Sequence, residues 1–195
     1  MPKPPKPAPK KSPQSAHNAL PLKGRIISGM WKGRVIKLAV NEEIRPTKDR
    51  VRAAVFNMLG TRVDITGATV ADVCCGSGAY GLEALSRGGV ACDFVDTDVR
   101  LVAENSAALK AEKARIITSD AQAWTPAKPV ATLVFCDPPY QSGLARKLWE
   151  RRAVISAPQA WWVIEVAEED DPPFEGMEEA VVRVYGKTRV VIGRG

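Results

Sequence analysis

Val70-Ala71-Asp72-Val73-Cys74-Cys75-Gly76-Ser77-Gly78-Ala79-Tyr80-Gly81 is the stretch on which the fold turns. It opens as an apolar run carrying one carboxylate, and its last six residues match G-x-G-x-x-G. Placed after a strand and before a helix, such a loop lets backbone approach a ligand closely and offers the unpaired N–H groups of a helix start. Outward from it, apolar periodicity predicts strands at 69–74, 92–96, 114–118, 132–137 and 161–166, with helices at 80–87, 99–110 and 142–152. Strand–helix alternation of this kind calls for a mostly parallel sheet covered on both faces. The C-terminal end departs from it: residues 180–185 and 188–192 flank Gly186-Lys187, which predicts an antiparallel hairpin closing the sheet.

The acidic residues around the loop decide what it holds. Asp96 ends the second strand, 20 residues after Gly76, where its carboxylate and the neighbouring Thr97 would meet ribose hydroxyls. That alone permits an NAD-dependent oxidoreductase. Asp72 argues against one, because a carboxylate four residues before Gly76 would repel a pyrophosphate. It would attract the ammonium and sulfonium end of S-adenosylmethionine, and D-x-x-x-G-x-G resembles the first motif of class I methyltransferases. The bland alternatives are a capping carboxylate at Asp72 and close strand–helix packing at the glycines. In a methyltransferase of this layout the loop after the third strand, with Asp120 and Ala121, faces the adenine, a solvated loop aspartate being the alternative, and Asp98 is read as capping the following helix.

Leu133-Val134-Phe135-Cys136 reads as a buried strand, and Asp137-Pro138-Pro139-Tyr140 follows it directly. The prolines hold the chain extended at the carboxyl end of a central strand, where open α/β sheets place their sites. An exocyclic amine on a base is a poor nucleophile, its lone pair being delocalised into the ring. Hydrogen bonds to the Asp137 carboxylate and the Pro138 carbonyl would pin it and turn the lone pair outward, while Tyr140 offers a stacking face worth ~1–3 kcal/mol. The tetrapeptide serves guanine N2 and adenine N6 alike. No cysteine follows a proline, so a cysteine-nucleophile mechanism has no support, and Cys136 reads as a core residue.

Composition narrows the rest. The 195 residues suffice for one domain with an appendage, and no apolar run approaches a membrane span. The four cysteines form no C-x-x-C pair and the one histidine, His17, lies near the N-terminus, so neither a metal site nor histidine chemistry is expected. The absence of a secretory pattern points to the cytoplasm. Residues 1–24 form a Lys/Pro-rich tail expected to be disordered. Of the net charge of +6, residues 1–25 carry six basic groups and no acid. Residues 26–62 hold eight basic and three acidic groups, and residues 63–195 hold 14 and 19. A polyanionic partner for the first third follows. There, strands at 25–29 and 34–38 around Met30-Trp31-Lys32-Gly33 predict a basic hairpin, and a helix follows at 48–59, with Thr47 as its cap and Val51, Val55, Met58 and Leu59 as its apolar stripe.

At this point the sequence resembles the RsmD family, the small-subunit ribosomal RNA guanine-N2 methyltransferases. The resemblance is carried by Arg25-Ile26-Ile27-Ser28-Gly29-Met30-Trp31-Lys32-Gly33-Arg34, by Arg45-Pro46-Thr47-Lys48-Asp49-Arg50-Val51-Arg52, by Gly76-Ser77-Gly78-Ala79 with Gly81-Leu82-Glu83-Ala84-Leu85, and by Asp137-Pro138-Pro139-Tyr140. It departs at Cys74-Cys75, where a hydrophobic residue and alanine are usual, and at Ala53, where an acid is common. It implies a class I S-adenosylmethionine-dependent methyltransferase domain at 63–195, Rossmann-like, with an RNA-contacting hairpin and helix at 25–62. It further implies methylation of one guanine of 16S ribosomal RNA, in an assembling small subunit. The expected RNA contacts are Arg25, Lys32, Arg34, Arg45, Thr47 and Arg50, and the cofactor residues are those of the loops above, Ser77 and Gly78 included. Adenine-N6 methylation is the nearer alternative and NAD chemistry the distant one.

Overall fold

The computed structural model describes residues 22–38, 46–128, 130–169 and 174–195. The Lys/Pro tail up to residue 21 and Arg45 lie outside the described residues, as does the side chain of Thr47. A two-stranded antiparallel ribbon, β1 (Leu22–Arg25) and β2 (Val35–Leu38), leads into helix α1 (Pro46–Leu59). The main sheet follows with β3 (Thr69–Val73), α2 (Ala79–Ser86), β4 (Ala91–Asp96), α3 (Arg100–Leu109), β5 (Ala114–Thr118) and β6 (Ala131–Cys136). It ends with α4 (Leu144–Glu150), α5 (Arg152–Ile155), β7 (Ser156–Ala167), β8 (Glu178–Tyr185) and β9 (Thr188–Arg194). Seven strands lie in the order β5-β4-β3-β6-β7-β9-β8, the first five parallel and β9 antiparallel to both its neighbours. The expected α/β sheet closed by an antiparallel hairpin is therefore present.

Burial explains the pattern. The sheet is apolar on both faces because each face carries helices. Phe94, Phe135 and Trp161 pack with α1, α2 and α3 on one side. Val95, Val134, Trp162 and Ile164 pack with Trp149 of α4 on the other. Trp149 and Trp162 meet edge to face at 5.7 Å, and the indole N–H of Trp149 reaches the Glu175 carbonyl at 3.0 Å.

Three local expectations shift. The first ribbon strand ends at Arg25 instead of beginning there, so residues 22–24, assigned to the tail, belong to the ribbon. The reason is that the N–H groups of Ile27 and Ser28 leave the ladder and go to Glu83. Helix α1 starts at Pro46, a residue suited to a first helical position because its missing N–H has no partner to lose, so Thr47 lies inside the helix and does not cap it. Its buried face is Val51, Val55, Phe56 and Leu59, with Met58 only half-buried and Arg52 on the inner side.

The ribbon is fastened to the domain by polar groups as well as by buried Ile26 and Ile36. Glu83 of α2, fully buried, accepts Ile27 N–H at 2.7 Å and Ser28 N–H at 2.9 Å, and Arg87 donates to it at 2.8 Å. Ser86 donates to the Ser28 carbonyl at 2.6 Å and accepts Trp31 N–H at 3.0 Å. Gly29 passes so close that a Cβ would lie 1.8 Å from the Ser86 carbonyl oxygen, at a φ of +81° that side chains avoid. Asn105 of α3 accepts Lys37 N–H and donates to both the Lys37 and Ser77 carbonyls.

Candidate active site

The loops after β3, β4, β5 and β6 open on one edge of the sheet, as parallel strands require, and line a cavity of about 950 Å³. Asp72, Gly76, Ser77, Asp96, Thr97, Asp120 and Ala121 all lie on its wall, together with Asp137-Pro138-Pro139-Tyr140. Gly78 is the exception among the expected cofactor residues. A Cβ there would lie 2.4 Å from Val102 and 3.2 Å from Phe94, and its φ is +75°, so the glycine permits close packing of the loop on β4 and α3.

Three of the wall carboxylates are held by backbone N–H groups. Asp72 is 3% exposed and accepts Gly81 N–H at 2.8 Å, so it caps the first turn of α2 while facing the cavity. Asp96 accepts Gly76 N–H at 2.9 Å and Asp98 N–H at 3.2 Å, shaping the glycine loop. Asp120 accepts Gln122 N–H at 2.7 Å. Asp98 turns outward onto Arg100, whose hydrogen bonds pull its carboxyl down to about 2, and it also accepts Arg100 N–H at 3.2 Å at the start of α3.

Electrostatically the cavity is acidic. Among the described residues its wall carries the carboxylates of Asp49, Asp72, Asp96, Asp120, Asp137 and Glu165, against one guanidinium, that of Arg52. Burial pushes the Asp72 carboxyl well above its usual range, the Gly81 N–H opposes this, and Asp137, Asp96 and Glu165 add to it. Burial, with Asp96, Asp137 and Asp72 behind it, also pushes the Cys74 thiol up to about 12. The buried Cys75, Cys92 and Cys136 thiols are raised as well, so none of the four is a ready thiolate. A group whose folded pKa is raised contributes stability below its unfolded pKa, and that contribution is lost as pH rises through the folded value. An ionisable carboxyl at position 72 therefore weakens the ligand-free protein as pH rises above the ordinary carboxylate range. Asp72→Asn, which keeps an acceptor for Gly81, is expected to raise the melting temperature at pH 7–8, the gain fading toward pH 4. Melting curves across that range check it, and an unchanged or lower melting point at pH 8 would contradict it.

The tetrapeptide follows β6 in the middle of the sheet. The Tyr140 hydroxyl pairs with Thr188 Oγ1 at 2.6 Å, which fixes the ring while leaving the residue 41% exposed. Ser142 donates to the Pro139 carbonyl at 2.6 Å, so of the two proline carbonyls it is that of Pro138 that suits a substrate amine.

Sequence reasoning passed over three residues of this wall. Glu165 of β7 is 4% exposed and accepts the hydroxyl of Tyr80. The Tyr80 ring in turn stacks on Phe135 at 5.0 Å. Arg52, 3% exposed, donates to the Arg25 carbonyl at 2.5 Å and to Asp49 at 3.1 Å. Charged residues inside apolar runs were the available signal. Arg25, Lys32, Arg34 and Arg50 are exposed, the first reaching the Gly33 carbonyl and Arg34 that of Ala108, both at 2.9 Å.

Residues 24–194 match the family model described as conserved hypothetical protein 95. Ribosomal RNA small subunit methyltransferase D of Escherichia coli (strain K12) is 41% identical over 125 residues, covering 62% of each chain. The namesake from Haemophilus influenzae is 33% identical over 131 residues, covering 63% of this chain and 67% of its own. The chain thus spans about three fifths of the length of the Escherichia coli relative it matches. Among solved structures, Escherichia coli yhhF superposes with a TM-score of 0.76 at 31% identity, covering 88% of this chain and 97% of the other. The 16S rRNA N2 G1207 methyltransferase (RsmC) of Thermus thermophilus, solved with AdoMet and guanosine, superposes with a TM-score of 0.68 at 17% identity. It covers 95% of this chain and 53% of that one, and shares the fold. The fold is that of class I methyltransferases.

Proposed function

Because the chain belongs to the RsmD family, we propose that it methylates the exocyclic N2 amine of a guanine in 16S ribosomal RNA, using S-adenosylmethionine. The observation that carries this reading is the acidic cavity joining the glycine loop to Asp137-Pro138-Pro139-Tyr140. A cationic ligand relieves the crowding of carboxylates around Asp72, whereas a pyrophosphate aggravates it, so the wall fits S-adenosylmethionine and opposes NAD. Asp72 faces the cationic end, Gly76 and Ser77 allow close backbone approach, Asp96 and Thr97 serve the ribose, and Asp120 and Ala121 flank the adenine. When bound, the cofactor supplies an electrophilic methyl on a sulfonium.

The protein's own groups do the rest by positioning. The Asp137 carboxylate and the Pro138 carbonyl accept the two amine hydrogens, which orients the nitrogen lone pair away from them. Tyr140, braced by Thr188, stacks on the base. The proton released on transfer passes to Asp137 or to water. Ribosomal RNA reaches the cavity over the ribbon and α1, where the expected contacts are Arg25, Lys32, Arg34, Arg45, Thr47 and Arg50. The substrate is an assembling small subunit in the cytoplasm. Among the described residues no helix is long and apolar enough to cross a membrane.

Incubating the protein and labelled S-adenosylmethionine with small subunits lacking the mark, then digesting to nucleosides, tests the reading. Label is expected in N2-methylguanosine; label in N6-methyladenosine instead would establish the adenine alternative. Melting shifts separate the cofactors: S-adenosylmethionine at 100 times its Kd is expected to stabilise by about 2.7 kcal/mol, and NAD by nothing measurable.

A further inference from the structure

Glu165 is a buried carboxylate of the wall that the reaction as described leaves without a task. It sits where the large cavity meets a second one of about 320 Å³ on the other side of Pro138, Pro139 and Tyr140. A carboxylate 4% exposed is costly to keep in a strand unless something holds it in place. Here the Tyr80 hydroxyl donates to Oε1. Burial and Glu165 together push the Tyr80 phenol well up, so it stays a neutral donor. The Tyr80 ring packs against Phe135 at 5.0 Å and Phe56 at 6.2 Å, which also touch each other at 5.5 Å. Glu165 is thus a prealigned acceptor beside the tetrapeptide that binds the amine.

We propose that Glu165 accepts the ring N1–H of the target base and so makes this a guanine site and not an adenine site. The inference rests on the guanine-N2 reading above and supplies what the tetrapeptide lacks, since Asp137 and Pro138 accept hydrogens from either amine. The two bases differ next to that amine. In guanine the neighbouring ring nitrogen, N1, carries a hydrogen; in adenine the ring nitrogen beside N6 carries a bare lone pair. Asp137 and Glu165, which directly follow the register partners Cys136 and Ile164 on the adjacent strands β6 and β7, present two acceptors to one edge of the base. Guanine answers with two donors. Adenine sets a lone pair against a carboxylate, and a mismatch of buried polar groups rejects a ligand far more strongly than a missing methylene does.

The test uses 2-aminopurine, which keeps the N2 amine but has a lone pair at N1. Once the methylated guanine is mapped with the wild-type protein, small subunits are rebuilt with 2-aminopurine at that position, and single-turnover rates are compared. The wild type is expected to prefer guanine by about 100-fold or more, and Glu165→Gln, whose amide donates to a bare N1, to bring the ratio within about tenfold. Glu165→Gln slowing both substrates by the same factor would overturn the proposal. Should Glu165→Gln fail to fold by melting, Glu165→Asp decides. Withdrawal of the carboxylate is expected to slow guanine at least about tenfold and to leave 2-aminopurine unchanged, and equal slowing is the contrary result. A wild type that places no methyl on guanine N2 in ordinary subunits refutes the broader reading instead.

Discussion

Asp137→Ala is expected to lower methyl transfer by about 10³-fold while changing cofactor affinity less than about threefold. The two effects separate because the groups have separate supports. Asp72 is tied to Gly81 and Asp96 to Gly76, and neither bond passes through the β6 exit. Removing the Asp137 carboxylate also removes one of the charges that raise Asp72. Melting curves of the variant separate lost turnover from a folding defect. Single-turnover transfer and calorimetric binding of S-adenosylmethionine read the two quantities. Wild-type rates in the variant would remove Asp137 from the reaction.

The second large effect concerns architecture. Glu83→Ala is expected to destabilise the protein by about 3–5 kcal/mol, the range for stripping one partner from a buried charged network. Glu83 is fully buried and serves Ile27, Ser28 and Arg87 together, so its loss strands two backbone N–H groups and a guanidinium at once. Denaturant unfolding measures the loss, and hydrogen exchange at Ile27 and Ser28 locates it. A change below about 1 kcal/mol would mean that the apolar packing of Ile26 and Ile36 alone seats the ribbon.

Legibility in the sequence followed the range of the interactions. The strands of the sheet and the loops at their ends were readable because strand–helix alternation and glycine spacing are local, and those loops do line one cavity. Features set by distant partners were not. The first ribbon strand was displaced because Glu83, more than 50 residues on, takes the N–H groups a longer strand would have paired. The length of β7 was underread, since Ala157-Pro158-Gln159 has no strand signal and sits in a register shift against β6. Glu165, Tyr80 and Arg52 were passed over because three separate elements, β7, α2 and α1, bring them to one wall. Gly78 was assigned to the ligand because the motif cannot distinguish a glycine that admits a cofactor from one that admits Val102.

Asn105 does not itself line the cavity, yet its one amide group holds the Lys37 peptide of the ribbon and the carbonyl of Ser77 in the glycine loop. The ribbon and the glycine loop, the two surfaces proposed to bind RNA and cofactor, therefore share one side chain among their anchors. A partner that shifts the ribbon displaces the mooring of the loop, and a ligand that settles the loop steadies the ribbon. Whatever factor relates the two affinities must be the same in both directions, because it belongs to one closed thermodynamic cycle. Order of arrival can then differ from one encounter to the next without altering the strength of the ternary complex.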